Sequence, residues 1–470
     1  MKNHNGLEKK YIYRGFCTAI LAVLVTAMFF FVWYRFAEEN NQTGHLLGYG
    51  NLLMSAGIYI AVYLFIGRAL KAFRIGVDRK ANLLASEALT LFLLNALETL
   101  ISCAVTGQFR FFPDFLWRYA LLFLVQLVVT CVLTNYMVNL YRHIFPPYQV
   151  LEICKTEDEM SHAASMDADR KIRFMNDRPD KYHIAEVMSV DGGLEAIFDK
   201  LDDFDAVLIN DIPSEIKNDI LKECFNRDIR VYFTPKISDI ISKNSEDINL
   251  FDTPLYLCRN AGIKPIQLMI KRVCDCIIAV LGLIITSPIF LVVAIAIKRE
   301  DHGPVFYRQK RVTIGGRVFE MLKFRSMIVD AEKDGRPRPA GEDDDRITKV
   351  GHRIRPVRID ELPQLINILR GDMSVVGPRP ERVEHVAKYT EEIPEFVYRL
   401  KVKGGLTGPA QVFGRYNTDA LNKLKMDLFY ITNYSILLDL QILFETIKIL
   451  VQKESTAGFS EARQEEMHDL

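Results

Sequence analysis

Five long apolar segments constrain the fold of this 470-residue chain more than any other feature. Four of them lie in the first third of the sequence, at residues 15–34, 46–67, 88–107 and 119–141. Each is long enough to cross the hydrocarbon layer of a bilayer, which takes about 20 apolar residues in a helix. The sequence therefore predicts an α-helical membrane bundle of four spans and excludes a purely soluble fold.

Charges beside these segments predict their orientation. Lysine and arginine residues cluster before the first segment and between the second and third: Lys2, Lys9, Lys10, Arg14, Arg68, Lys71, Arg74, Arg79 and Lys80. Positive residues favour the cytoplasmic side of a membrane. We therefore expect a cytoplasmic N-terminus and a return to the cytoplasm after the fourth span. Glu98, inside the third segment, is either functional or structural, and we favour a structural role.

The fifth apolar segment, residues 277–297, is as long as a membrane span but has a different setting. Basic pairs flank both of its ends: Lys271, Arg272, Lys298 and Arg299. This bias draws both ends to the cytoplasm, and the central proline has no N–H to donate to the helix. We therefore predict a re-entrant membrane helix over residues 265–299, kinked at Ser287 and Pro288. An ordinary fifth span with a proline kink is the alternative.

Residues 147–264 change to short strands that alternate with helices. The predicted strands lie at 149–153, 206–209 and 230–233, and an amphipathic helix is predicted at 214–226. This alternation indicates an α/β Rossmann-like cytoplasmic domain. Lys155-Thr-Glu-Asp-Glu follows the first strand, where a dinucleotide-binding fold would carry GxGxxG. A regulatory or spacer module is the better interpretation, and a ligand stays open.

The stretch 353–380 has the pattern most indicative of chemistry. Two adjacent carboxylates, Asp360 and Glu361, follow three arginines and begin a short helical pattern that Gly371 would end. Carboxylates at a helix start among arginines are expected to stay ionised. Ionised carboxylates bind a hard divalent cation or attack phosphorus, while arginines hold phosphate oxygens. The alternative is a capped helix with solvated charges.

The overall charge and the cysteines exclude other classes. Basic and acidic residues number 59 each, so the net charge is +0, which argues against a nucleic-acid partner. The eight cysteines contain no CxxC pair. We therefore expect structural thiols rather than a zinc site or a disulfide framework.

A series of short motifs runs in order through the C-terminal region. They are KRxxD at 271–275, Ser287-Pro288, GPVFYRQ at 303–309, KFRSM at 323–327, DELPQ at 360–364, GDMS at 371–374, GPRP at 377–380 and TGxxQVxGR at 407–415. On these motifs, residues 271–453 resemble the bacterial sugar transferase family, the monotopic polyprenyl-phosphate phosphoglycosyl transferases. The four spans and the Rossmann-like domain resemble the N-terminal half of the large members of that family.

The resemblance implies transfer of a sugar-1-phosphate from a UDP-sugar to undecaprenyl phosphate, with release of UMP. Asp360 would attack the sugar-bearing phosphorus to form a covalent phosphosugar-enzyme, and Glu361 would help to hold Mg²⁺. The other candidate substrate- and phosphate-binding residues are Lys323, Arg325, Ser326, Arg346, Arg353, Pro378, Arg379, Pro380 and Arg415.

The expected organisation has five parts. They are a four-helix transmembrane domain at 1–146, a Rossmann-like domain at 147–264, the re-entrant helix at 265–299, an α-rich α/β catalytic domain at 300–453 and a polar tail at 454–470. The protein would lie in the bacterial cytoplasmic membrane with its catalytic domain in the cytoplasm. Its expected partners are the UDP-sugar, undecaprenyl phosphate, the lipid bilayer, a second copy of the chain and downstream glycosyltransferases, and its sugar is not identified.

Two alternatives to this activity stay open. A polytopic phosphosugar transferase would have about ten spans, which the four spans and the long soluble C-terminal half disfavour. A non-catalytic membrane scaffold of a polysaccharide assembly system would use Asp360 and Glu361 only to cap a helix.

Overall fold

The chain folds as two units with separate cores, Met1–Thr234 and Pro235–Leu470. The computed structural model describes residues 2–40, 47–155, 181–250, 253–258, 262–329, 331, 344–414 and 418–451. The predicted polar tail, 454–470, lies outside these residues.

Long helices form the first part of the N-terminal unit, and each covers all or nearly all of one predicted apolar segment. They are α1 (Lys2–Asn40), α2 (Tyr49–Ala69), α3 (Lys80–Thr106) and α4 (Phe112–Ile144). All are long and apolar enough to cross a membrane. An aromatic core joins them, in which the rings of Phe29 and Tyr59 stack 4.0 Å apart. Large apolar side chains such as Phe65 and Val132 lie on the outer surface, as a lipid-facing helix requires.

Polar side chains also lie inside this helical bundle. The amide of Gln126 donates to the carbonyl oxygen of Val25 at 3.0 Å and accepts from the amide of Asn95 at 2.9 Å. Glu98 is only 2% exposed, and one of its oxygens accepts from the hydroxyl of Ser102 at 3.3 Å. The bonds of Gln126 join three helices, whereas the bond of Glu98 lies within α3. They provide polar groups with partners inside the bundle, where neither water nor lipid would do so.

A four-stranded parallel sheet follows in the same unit. Its strands are β1 (Tyr148–Cys154), β2 (Tyr182–Ser189), β3 (Ala206–Ile209) and β4 (Arg230–Phe233), in the order β2-β1-β3-β4. Helices α5 (Leu194–Lys200) and α6 (Ser214–Asn226) bury Leu151, Ile153 and Val207 on one face of the sheet. The three predicted strands and the predicted helix are thus confirmed, whereas β2 had not been predicted.

The C-terminal unit carries the remaining elements. They are α7 (Ile237–Ser242), β5 (Glu246–Leu250), β6 (Thr253–Leu257), α8 (Pro265–Asp301), β7 (Phe306–Val312), β8 (Val318–Phe324), α9 (Lys349–Ile354), α10 (Gln364–Arg370), β9 (Ser374–Val376), α11 (Val383–Glu392), β10 (Gly405–Thr407), α12 (Pro409–Val412), α13 (Ala420–Thr432) and α14 (Ile436–Val451). The β7–β8 pair is antiparallel and confirms the predicted hairpin. Buried side chains from α8, α10, β9, α13 and α14 form one core.

The longest helix of this unit, α8, has 37 residues and includes the fifth apolar segment. Pro288 lies inside it and has no N–H for the carbonyl oxygen of Ile284, one turn earlier. The hydroxyl of Ser287 donates to that same oxygen at 2.8 Å. The serine therefore replaces the hydrogen bond that the proline removes, as hydroxyl side chains do in membrane helices.

The KRxxD motif at the start of α8 fastens this helix to three other elements. Lys271 pairs with Asp439 of α14 at 2.7 Å, and Arg272 donates to the last carbonyl oxygens of α10 at 2.6 and 2.9 Å. The carboxylate of Asp275 accepts from the hydroxyl of Ser374 at 2.7 Å and from the backbone N–H of Val375 at 3.0 Å. The motif thus joins the apolar helix to the core around β9.

Helix α10 confirms the predicted short helix and its end, since Gly371 adopts a left-handed φ of 87°. The buried Asn367 of α10 makes two hydrogen bonds to the backbone of β8. The side chain accepts from the backbone N–H of Leu322 at 2.9 Å and donates to the carbonyl oxygen of Glu320 at 2.8 Å. This pair of bonds sets the position of α10 relative to the strand that carries Lys323.

We expect Asn367→Leu to destabilise this junction by about 2 kcal/mol or more, because two backbone groups lose their partner without access to water. Hydrogen–deuterium exchange of the β8 amides should become faster. Arg370→Leu, at an exposed position of the same helix, is the control and should leave the exchange unchanged. Equal exchange in both variants would show that Asn367 does not hold the strand.

Candidate active site

Asp360 and Glu361 lie in a short 3₁₀ turn, Ile359–Glu361, rather than in the first turn of α10. Arg358 precedes them with a left-handed φ of 53°, which turns the chain from α9 towards α10. Both acids are nearly enclosed, at 9% and 8% exposed. The two adjacent carboxylates are therefore buried together, although their surroundings differ.

Glu361 is held by two cations from different segments. Its Oε1 accepts from Lys323 Nζ, on β8, at 2.9 Å and from Arg379 Nη2, in the loop after β9, at 2.7 Å. Burial by itself would raise the pKa of Glu361, but Arg379 and Lys323 outweigh it and hold that pKa well below its usual range. Glu361 is therefore an anion that joins three segments.

Asp360 has no such clamp. No hydrogen bond from the described part of the chain reaches its carboxylate. Burial raises its pKa, while the charges of Lys323 and of Arg355 oppose the rise. The sequence predicted that both acids stay readily ionised. The structure differs for Asp360, because the loss of water outweighs the nearby cations there.

Glu361 has one carboxylate oxygen that is available to Mg²⁺. Both cations bind Glu361 through Oε1, and no hydrogen bond from the described residues occupies Oε2. The described residues contain no cluster of three or more His, Cys, Asp or Glu side chains able to bind a metal. Mg²⁺ nevertheless needs only one or two carboxylates when water and phosphate oxygens complete its shell. Glu361 Oε2 therefore fits this ion in the presence of a diphosphate.

The side chain of Arg325, two residues after Lys323, is held in position by a residue of α8. Its Nη2 donates to Asp301 at the end of that helix, whereas its Nε and Nη1 are buried and have no hydrogen-bond partner in the described part of the chain. Gly303 leaves space for this guanidinium, since a Cβ at that position would collide with it. Arg325 therefore offers donors that are not used by the protein itself, which suits it to binding an anion.

The prolines of the GPRP turn act through their backbone. Pro378 accepts from the N–H of Gly405 at 2.9 Å, and Pro380 accepts from Arg311 at 3.0 Å. Both are buried on either side of Arg379. They therefore hold the loop that presents this arginine to Glu361.

The other predicted site residues have varied positions. Ser326 accepts through its carbonyl oxygen from the N–H of Thr348 at 3.1 Å, and Arg346 donates to Asp344 at 2.8 Å. Arg353 is exposed on α9. Arg415 lies outside the described residues. The structure thus brings Lys323, Arg379, Asp360 and Glu361 together. It does not show Ser326, Arg346, Arg353 or Arg415 beside them.

A second group of buried charges, which sequence reasoning missed, supports the GPRP turn from behind. Arg399 donates to the carbonyl oxygen of Arg379 at 2.9 Å and pairs with Asp427 at 2.8 Å. Glu381 lies 3.6 Å from Arg399 and 3.8 Å from Arg311. A sequence signal existed for Asp427, since it shares the apolar face of α13 with Leu424, Leu428 and Ile431.

Glu381 gives this group a predictable response to acid. Burial would raise its pKa, but His385, Arg399 and Arg311 lower it to about 2. A carboxylate with a depressed pKa stabilises the fold above its unfolded pKa of about 4.3, and this contribution is lost as the pH falls towards 2.

We therefore expect Glu381→Gln to lower the free energy of unfolding by about 2–3 kcal/mol at pH 6. The difference from the parent protein should shrink as the pH falls from about 4.5 towards 2, because the unfolded parent chain binds a proton at Glu381 in this range while the folded protein does so only near pH 2. Thermal unfolding midpoints in detergent over this pH range measure it. Glu384→Gln, at an exposed position, should show no difference at any pH. A gap that stays constant with pH would contradict the charge assignment.

Comparisons with known proteins cover the region that contains these residues. Residues 266–453 match the family model described as bacterial sugar transferase. The chain is 37% identical over 260 residues to a UDP-N-acetylgalactosamine-undecaprenyl-phosphate N-acetylgalactosaminephosphotransferase of Aeromonas hydrophila, covering 53% of this chain and 60% of that protein. It is 38% identical over 267 residues to a UDP-glucose:undecaprenyl-phosphate glucose-1-phosphate transferase of Klebsiella pneumoniae, covering 54% of each.

The matched region thus spans little more than half the length of these two relatives. It spans 92% of the exopolysaccharide production protein ExoY of Sinorhizobium fredii, at 38% identity over 210 residues and 42% of this chain. Since that match covers almost the whole relative, and the family model covers both carboxylates and their cations, the chain belongs to the bacterial sugar transferase family.

Proposed function

We propose that this protein transfers a sugar-1-phosphate from a UDP-sugar to undecaprenyl phosphate, which yields UMP and undecaprenyl-diphospho-sugar. This would be the first membrane step of exopolysaccharide, capsule, O-antigen or other glycoconjugate synthesis. One observation supports the proposal most strongly. Asp360 is buried and accepts no hydrogen bond from the described residues, while its neighbour Glu361 is neutralised by Lys323 and Arg379. The activities by which the two transferase relatives are named support the substrate classes.

In the first half-reaction, Asp360 acts as the nucleophile. Its Oδ forms a bond to the sugar-bearing phosphorus, and the bond from that phosphorus to the bridging oxygen breaks, with UMP keeping the electron pair. Because no hydrogen bond from the described residues ties up this carboxylate, little has to be broken before it attacks. Lys323, whose charge acts on Asp360, favours the ionised form that the attack needs.

In the second half-reaction, an oxygen of the lipid phosphate attacks the same phosphorus and Asp360 Oδ leaves. One phosphoanhydride has then replaced another, so position and electrostatics supply most of the catalysis. Arg379 and the unpaired nitrogens of Arg325 would neutralise phosphate oxygens. Mg²⁺, held by Glu361, would supply further neutralisation of the diphosphate.

Helix α8 supports a re-entrant placement in the membrane. At its start, Lys271 and Asp275 bond to the catalytic core. Near its end, Val293 and Ile297 pack on Phe324 and Ile354 of the same unit. A straight crossing would put these two ends on opposite sides of a bilayer, so one globular unit would not contact both. A helix that enters and leaves by the cytoplasmic face satisfies both sets of contacts.

The same placement would put the catalytic unit at the cytoplasmic surface of the bacterial membrane, where the head group of a polyprenyl phosphate lies. The four N-terminal helices would cross the membrane, and the sheet that follows would lie in the cytoplasm as a Rossmann-like domain. The protein would also form a homodimer and pass its lipid-linked sugar to downstream glycosyltransferases. Mass photometry that detects only monomers would remove the homodimer.

We expect Asp360→Asn to reduce UMP release at least about a thousandfold, because an amide cannot replace the carboxylate nucleophile. The assay uses the protein in nanodiscs with undecaprenyl phosphate, Mg²⁺ and a panel of glucose, galactose and N-acetylated UDP-sugars. A trapped phosphosugar adduct, seen by mass spectrometry in the parent, should be absent from the variant. Asp219→Asn, an exposed position on α6, should behave as the parent.

The panel also distinguishes the alternatives. An adduct and full turnover in Asp360→Asn would exclude this nucleophile. A parent protein that releases UMP from none of the UDP-sugars would instead support the non-catalytic scaffold. The donor that gives the fastest release identifies the sugar.

For the membrane placement, we expect single cysteines before and after α8 to be labelled from the same side. Lys264→Cys and Lys310→Cys are exposed positions for this test, in a background without reactive native cysteines. An impermeant maleimide should label both only in inverted vesicles. Gln108→Cys, between the third and fourth spans, should be labelled in right-side-out vesicles. Opposite labelling of the two positions around α8 would establish a fifth span instead.

A further inference from the structure

The parallel sheet of the N-terminal unit has a point where its strand order reverses. From β1 the chain passes to β2 on one side, and then returns to β3 on the other side of β1. In open parallel sheets, a crevice forms at such a point, outside the carboxyl ends of the two strands. Here it lies between the ends of β1 and β3.

Two buried polar side chains meet near the carboxyl ends of these two strands. Glu152 belongs to β1 and is fully buried, and Asn210 directly follows β3 and is also buried. Glu152 is registered with Leu208 of β3, two residues before Asn210, so both side chains lie on the same face of the sheet. This is the face opposite the one that α5 and α6 cover with Leu151 and Ile153.

The contact between the two side chains uses only half of their polar atoms. Asn210 Nδ2 donates to Glu152 Oε1 at 3.1 Å. Glu152 Oε2 and Asn210 Oδ1 are buried, and neither has a hydrogen-bond partner among the residues that the structure describes. A buried acceptor without a partner costs about 1–3 kcal/mol, so folded proteins seldom keep two side by side without a use for them.

The chemistry of these two oxygen atoms defines which ligand group would bind to them. Both are acceptors, and one belongs to a carboxylate, so the missing group must present two adjacent donors. We propose that Glu152 and Asn210 bind a vicinal diol of a sugar ring, in ribose or in a hexose, at the carboxyl edge of this sheet. An acidic side chain on ribose hydroxyls is a common use of parallel α/β sheets.

The sequence after β1 limits the ligand further. Lys155-Thr-Glu-Asp-Glu stands where a glycine-rich turn would approach a pyrophosphate. The diol, rather than a dinucleotide phosphate, is therefore the recognised group. The site lies in a different unit from Asp360, and the proposal does not depend on the proposed reaction.

One competing arrangement needs no ligand. A neutral Glu152 would donate from Oε2 to Asn210 Oδ1 and satisfy both atoms within the protein. Burial favours this form, since it raises the pKa of Glu152. Glu152→Gln separates the two cases, because the amide of glutamine can make the same reciprocal pair with Asn210 while removing the carboxylate that a diol would use.

The test measures hydrogen–deuterium exchange of the β1 and β3 amides in the full chain in nanodiscs, a readout local to this crevice. The probes are UMP, AMP, methyl α-D-glucopyranoside and 2′,3′-dideoxy-UMP. We expect saturable protection by at least one of the first three and none by the dideoxy compound. Protection by UMP and AMP identifies ribose, and protection by the glucoside alone identifies a hexose.

Glu152→Gln should weaken this protection at least tenfold while UMP release stays at the parental level. Glu195→Gln, an exposed acid on α5, is the matched control and should bind as the parent does. Asp360→Asn should keep the protection even where it loses turnover, so failure of either proposal is seen separately. The absence of protection by every probe, or equal protection in Glu152→Gln, would overturn the proposal and leave the neutral pair.

Discussion

A single carboxylate oxygen, Glu361 Oε1, is the point on which the catalytic unit depends. It accepts from Lys323 and Arg379, and thereby joins β8 and the GPRP turn to the 3₁₀ turn that carries it. All three charges are largely withdrawn from water, so loss of the anion would leave two cations without compensation. Such a loss typically costs about 3–5 kcal/mol, more than most single side chains contribute to a fold.

This interaction also explains how two adjacent acids acquire different properties. Both cations donate hydrogen bonds to Glu361, whereas Asp360 interacts with nearby cations only electrostatically. A pair of free carboxylates at such a short distance would repel each other and resist burial. Neutralising one of them allows the other to be buried in a form that stays chemically available. The second group of charges, around Arg399, keeps Arg379 in place for this purpose.

Much of the architecture could be predicted from the sequence, because it follows from periodicity and turn chemistry. The apolar helices, three strands, α6, α10 with its end at Gly371 and the β7–β8 hairpin were all found where expected. The proximity of Lys323 and Arg379 to the acids was indicated only by family motifs, since residues from separate segments carry no local signal of contact.

What the sequence could not provide depends on tertiary surroundings. The rise in the pKa of Asp360 results from loss of water, and the anchoring of Arg325 by Asp301 joins two segments that lie 24 residues apart. Strand β2 was missed because its burial alternates irregularly, without a clean two-residue period. Asp427 was missed because an acid on an apolar helix face is explained only by its partner Arg399.

The attachment of Asp275 to β9 has a mechanical consequence. Its two oxygens hold Ser374 and Val375, and the chain continues from there directly into the loop of Arg379. These two bonds therefore connect the position of α8 to that of the Arg379 loop. In the proposed re-entrant placement, the depth of α8 in lipid would set the height of this arginine, and of the carboxylate beside it, above the bilayer surface. The helix would then determine the distance of the active site from the lipid phosphates as well as anchor the protein.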